Sequence, residues 1–142
     1  MVKLRLSLVA LAGGLLLMTP AVTASTPRNS IAVVEIELAV TPMQTKYGEL
    51  GGYDPRVLTV HVGDGVRWQN LDPEPHTATS RGFPTDGRVT TGSTISQEPW
   101  SSGDVAPHGK SRLFVAARPG VFYYNCGYHF KLGQRGVIVV LP

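Results

Sequence analysis

Apolar and polar residues alternate through much of the chain beyond residue 30. Between Ile31 and Val40, the residues Val34, Ile36, Leu38 and Val40 fall on one face and Glu35 and Glu37 on the other. A period of two is the mark of a strand with one face buried. Val57 to Val62 repeats it, with Leu58, Val60 and Val62 opposite Thr59 and His61. Gly63-Asp64-Gly65 then reads as a turn and Val66 to Gln69 as a further strand. His76 to Ser80, Ser111 to Ala117, Val121 to Cys126 and Val137 to Leu141 complete the set, with Pro119-Gly120 and Gly133 to Gly136 as punctuation. No segment offers ten residues of helical periodicity. Short strands between glycine and proline turns predict an all-β chain folded as an antiparallel sandwich.

Two stretches depart from this pattern. Arg81 to Ala106 carries only separated apolar positions (Phe83, Val89, Ile95, Trp100 and Val105), too long a loop for a compact domain unless it hides short strands or a functional flap. Thr41 to Arg56 is also irregular and contains glycines.

The first residues follow different rules. Lys3 and Arg5 precede an apolar run from Leu6 to Met18, interrupted only by Ser7 and Gly13-Gly14; Pro20 follows, then Val22-Thr23-Ala24. A basic start, a short apolar core and small residues at its end predict a secretory signal peptide over residues 1–24. The apolar run falls short of the ~20 residues that a membrane span requires. An uncleaved anchor and a misread core segment are the rival readings. No cysteine lies near the cleavage point, which argues against a lipid-anchored form. Residues 25–30 read as a loose tail, and residues 31–142 as one domain.

Cleavage changes the charge picture. The full chain of 142 residues has a formal charge of +3, and losing Lys3 and Arg5 lowers it to +1. The remaining Lys and Arg are scattered, so the chain lacks the basic stripe of a nucleic-acid-binding protein. Cys126 is the only cysteine, so no internal disulfide can form. A lone thiol sent to an oxidising compartment needs a chemical reason.

That reason lies between Gly120 and Val140. A strand delivers Cys126 into a loop that carries His129 and Gln134, and a strongly apolar strand follows. A thiolate and an imidazole three residues apart at a strand end suit copper or zinc better than a hard cation. A third ligand from another strand is needed, and His76 in Pro75-His76-Thr77 is the best placed. Two imidazoles, one thiolate and a weak axial group describe a blue-copper site.

At this point the chain resembles the cupredoxins, specifically the plastocyanin-like small blue copper proteins. The resemblance runs from about Asp54 to Leu141. It is carried by Val57 to Val66 around a Gly-Asp turn, Trp68-Gln69-Asn70 leading to His76, the turn from Ala106 to Gly109, and Pro119-Gly120 with Cys126 six residues after the glycine. It implies a Greek-key sandwich of about seven to eight strands. It also implies one copper ion held by His76, Cys126 and His129. The family often has methionine where Gln134 stands, so the resemblance makes Gln134 the axial residue; the phytocyanin branch includes axial glutamines. A shorter-loop alignment would put Leu132 there instead. Thr77 replaces the asparagine that plastocyanins commonly carry after the first histidine, which puts the usual clamp between the two ligand loops in doubt. Tyr128 replaces a frequent proline.

The resemblance implies a one-electron carrier between redox protein partners, monomeric, exported to a periplasm in the first instance, with a thylakoid lumen or extracellular space as alternatives. Phe130 and Leu132 beside His129 are the candidate docking residues. A copper-delivery protein on the same fold is the alternative. An enzyme is disfavoured: a Cys126–His129 nucleophile pair lacks an orienting third group. With no His-x-His pair and four histidines in all, a trinuclear copper site is also disfavoured. His61 and His108 read as surface residues, and Phe122 and Tyr124 as core.

Overall fold

A computed structural model of the chain describes residues 29–38, 41–45, 48–80, 93–96 and 99–142. The leader expected over residues 1–24, most of the tail, and Phe83 and Val89 lie outside the described residues. Ser30, the last residue of that tail, donates its N–H and its hydroxyl to Asp64 at 3.1 and 2.7 Å.

The alternating segments form strands, and within the strands the expected faces point inward; Leu38 and Val62, expected on those faces, fall just past the ends of their strands and are exposed, and Val40 lies outside the described residues. In chain order the strands are β1 (Ile31–Ile36), β2 (Met43–Thr45), β3 (Gly48–Leu50), β4 (Tyr53–Asp54), β5 (Val57–His61), β6 (Gly65–Asn70), β7 (Thr79–Ser80), β8 (Thr94–Ile95), β9 (Phe114–Ala116), β10 (Gly120–Asn125) and β11 (Arg135–Leu141). Val34 and Ile36 of β1, and Leu58 and Val60 of β5, are buried while the intervening residues are exposed. A single 3₁₀ turn, Phe130–Leu132, is the one helical element among the described residues, and no described helix is long and apolar enough to cross a membrane.

One sheet has the order β4-β1-β6-β9-β8, the second β5-β11-β10-β7, and β2-β3 forms a separate hairpin. The sandwich is present, but its pairing is mixed rather than purely antiparallel. β1 runs parallel to β6, β5 to β11 and β8 to β9. Neighbours distant in the chain meet without a tight turn between them, so nothing local dictates their relative direction. The irregular stretches resolve into short elements: Thr41 to Arg56 holds β2, β3 and β4, and Arg81 to Ala106 hides β8 together with the buried Trp100 and Val105.

The facing sheets share one apolar core. Trp68 is fully buried at its middle, stacked on Trp100 with ring centroids 5.6 Å apart and met edge-on by Phe114 and Tyr124 at 5.4 and 5.5 Å. Rings of this size dominate core energetics, and truncating one to alanine costs about 3–5 kcal/mol. Phe122 and Tyr124 are core residues, as their alternation predicts, whereas His108 is exposed and His61 sits half-exposed against Asp64. β10 and β11 are packed on this core, and β10 is paired with β11 along its whole length, from Gly120↔Val140 to Asn125↔Arg135. The loop between them therefore leaves and re-enters a rigid ladder at one end of the sandwich.

Candidate metal centre

That loop is closed at its neck. The Cys126 N–H donates to the Gln134 carbonyl at 3.1 Å, continuing the β10–β11 ladder by one step. Inside the neck the chain makes the 3₁₀ turn after His129, and Leu132 N–H and Gln134 N–H both return to the His129 carbonyl, at 2.9 and 3.3 Å. Gly133 ends the turn at φ 84°, a left-handed conformation that a side chain disfavours, and so redirects the backbone toward β11. Cys126, His129 and Gln134 thereby point to the same interior spot. The expected strand from His76 to Ser80 is regular only at Thr79–Ser80, where β7 pairs with Tyr124 and Asn125 of β10. His76 itself is held by an isolated bridge to Val105, with bonds of 3.2 and 2.7 Å in the two directions. That bridge delivers its ring to the loop.

Four atoms converge. Cys126 Sγ lies 3.7 Å from His76 Nδ1 and 3.6 Å from His129 Nδ1, and the two ring nitrogens are 3.3 Å apart. Gln134 Oε1 lies 3.1 Å from His76 Nδ1 and 3.2 Å from His129 Nδ1. Cys126 and His76 are fully buried, Gln134 is 1% exposed and His129 is half-buried. Lone-pair-bearing atoms packed this closely repel one another unless protons or a cation lie among them, so the geometry fits a metal ion. The His76–Cys126–His129 group can hold one, and its nitrogen–sulfur set suits copper or zinc rather than magnesium or calcium.

The surroundings fix each ligand. Gln134 Nε2 donates to the Gly52 carbonyl at 3.3 Å, which leaves Oε1 as the end facing the histidines. Gly52 has φ 71°, and a Cβ there would run into Gln134 Cγ, so the glycine leaves room for the amide. Thr77, where the sequence left the clamp open, supplies one. Its hydroxyl accepts the Gly127 N–H at 2.8 Å and its own N–H approaches Cys126 Sγ at 3.4 Å, joining the His76 segment to the cysteine loop. A short hydroxyl can do this because the carbonyl behind it is held by the buried Tyr53 phenol, whose own ionisation is pushed well up by burial and then by the Cys126 thiol. Tyr128 is exposed and donates its hydroxyl to Asp104 at 2.8 Å, tying the outer loop to a neighbouring segment; that bond raises its pKa.

The structure thus brings His76, Cys126, His129 and Gln134 together. Phe130 and Leu132 lie outside, 39% and 67% exposed, on the surface next to His129. Leu132, the alternative axial position, points away from the cluster by that exposure. Sequence reasoning missed Asp72 and Gly52. Asp72 Oδ2 sits 3.0 Å from His76 Nε2. An acidic residue four before His76 was a signal within reach; Gly52 offered none.

No family model matches the chain, and no curated protein matches it. Solved structures do. A methionine-to-glutamine variant of amicyanin in its Cu(I) form matches with a TM-score of 0.52 at 22% identity, over 81% of this chain and 86% of that one. An oxidised methionine-to-leucine variant of amicyanin matches with a TM-score of 0.51 at 22% identity, over 82% and 87%. A pseudoazurin from Sinorhizobium meliloti matches with a TM-score of 0.50 at 22% identity, over 80% and 75%. The fold is therefore the cupredoxin sandwich, and it carries a His-Cys-His cluster able to hold a copper ion.

Proposed function

We propose that this chain is an exported type 1 copper protein that carries single electrons between redox protein partners. The observation that carries this reading is the convergence of two imidazole nitrogens and one buried thiol, with an amide oxygen beside them, at one end of a cupredoxin sandwich. Bound copper supplies the Cu(I)/Cu(II) couple. The chain's own residues supply rigidity: the ladder under Cys126, the bridge under His76 and the Thr77 clamp keep the donors where they are in both states, so little has to rearrange when an electron moves.

Gln134 is the axial residue in this reading. Its amide is oriented by Gly52, and its harder oxygen favours Cu(II) over Cu(I) more than a thioether would. Gln134→Met should raise the reduction potential; an unchanged or lower potential would remove Gln134 from the ligand set. Electrons enter and leave on the half-buried His129 side, where Phe130 and Leu132 form the docking patch. The basic, apolar leader directs the chain to a periplasm, where the mature domain works as a monomer rather than as an enzyme.

The deciding experiment is a Cu(II) titration of residues 25–142 followed by visible absorption and EPR. An intense thiolate-to-copper band reaching its limit at one equivalent, with narrow copper hyperfine splitting, is the expected result. Weak colour with tetragonal copper, and transfer of that copper to an apo acceptor, would replace the carrier with a copper-delivery protein.

A further inference from the structure

We infer that Asp72 sets the electronic character of the centre: its carboxylate holds His76 with the proton on Nε2 and the lone pair on Nδ1, and its charge favours Cu(II) over Cu(I). The inference rests on the copper reading above.

The outer edge of His76 is as firmly held as its inner edge. Nε2 lies 3.0 Å from Asp72 Oδ2, His76 is 0% exposed and Asp72 17%, so little water screens the pair. The carboxylate is also held by contacts that do not involve the histidine. The same Oδ2 accepts the Leu38 N–H at 2.9 Å, and the Asp72 N–H is fixed by Asn70 Oδ1 at 2.9 Å. Asn70 is itself fully buried and gives its amide N–H groups to the carbonyls of Glu74, Val105 and Ala106. Val105 is also the bridge partner of His76, so one buried asparagine aligns the carboxylate and the strand segment against which the histidine is set.

A neutral imidazole has one N–H and one bare nitrogen, and an ionised carboxylate only accepts. Nε2 faces the Asp72 carboxylate at 3.0 Å and Nδ1 faces the Gln134 amide oxygen at 3.1 Å; the charged carboxylate is the stronger acceptor, so the proton sits on Nε2 and Nδ1 presents its lone pair toward Cys126 and His129. A carboxylate on the outer nitrogen also makes the inner nitrogen a stronger electron donor and brings a negative charge close to the site, and both benefit the more highly charged metal state. His129 has no such partner: among the described residues no carboxylate pairs with it. The two imidazoles are thus unequal donors, and the inequality is a property of the protein rather than of the metal.

The test compares the mature protein with Asp72→Asn, Asp72→Glu and Asp72→Ala. Nitrogen NMR of the copper-free proteins should find His76 protonated at Nε2 in wild type and in Asp72→Asn, which keeps an accepting oxygen, and a shift toward the Nδ1-protonated form in Asp72→Ala. In the copper-loaded proteins, Asp72→Asn should weaken Cu(II) about tenfold relative to Cu(I), a rise in potential of about 59 mV for one electron. Asp72→Glu should move back toward wild type. An Nδ1-protonated His76 in copper-free wild type, or an unchanged potential in Asp72→Asn, would overturn the inference. If wild type never develops the thiolate–copper band, the copper reading itself falls, and the copper-free tautomers still decide whether Asp72 positions His76.

Discussion

His76 and His129 offer the same atom, Nδ1, to the same point, yet the fold treats them oppositely. His76 is completely buried, bridged to Val105 through its backbone and bonded to Asp72 through the far edge of its ring. His129 stands half-buried at the head of a single 3₁₀ turn, among the exposed Tyr128, Phe130 and Leu132. In the proposed carrier, a ligand with both edges held would not follow a change in metal charge, whereas one at the surface would give electrons a short way out. On that reading, geometry is guarded on one side of the cluster and exchange is arranged on the other.

The contrast is most sharply tested by removing each ring. His76→Gly and His129→Gly should both lose the thiolate–copper band entirely. Added imidazole should restore most of it in His129→Gly, where solvent reaches the vacated space, and none in His76→Gly. Absorption titrations with imidazole read both, and equal rescue would abolish the distinction.

A smaller effect should follow from changing the exchange side alone. Replacing Phe130 and Leu132 with Ser removes two exposed apolar side chains at about 1 kcal/mol each of partner contact, so electron transfer with a protein partner should slow about tenfold or more. Spectrum and potential should stay as in wild type; stopped-flow rates that do not change would move docking elsewhere on the surface.

Thr77 joins the two sides, and its loss should be felt as stability. Thr77→Ala strands the Gly127 N–H and should cost about 1–2 kcal/mol, measured as a lower denaturation midpoint with faster amide exchange at Gly127. Thr77→Ser keeps the hydroxyl and should recover most of the loss.

The least effect on the centre should come from Asp64, at the turn between β5 and β6. The His61 N–H, and next the Ser30 hydroxyl, hold its carboxyl below the ordinary carboxylate value. A depressed folded-state pKa stabilises fully above the unfolded value, about pH 4, and that contribution disappears as pH falls through the folded value. Asp64→Asn should therefore lose about 1–3 kcal/mol at neutral pH and progressively less in acid, seen as a flatter acid limb of Tm against pH, with the copper spectrum unchanged.

Much of this organisation was legible in one dimension because its causes are local. Alternation along Val57 to Val62 and Val121 to Cys126 follows from the pleat of a strand, whose period needs no knowledge of partners. The Cys126–His129 spacing sits in one loop, and the cluster forms with His76 where the residue types suggested. Other features depend on segments that meet only after folding. Parallel pairing of β1 with β6, and of β5 with β11, joins strands that no turn connects. Gly52 orients Gln134 from 82 positions away, Thr77 meets Gly127 across 50, and the carboxylate of Asp72 is aimed by an asparagine that is itself tied to Val105 and Ala106, 35 and 36 positions on. Periodicity and spacing are written in neighbouring residues and can be read there. Orientation is written in contacts between distant ones, and exists only once the two sheets have closed.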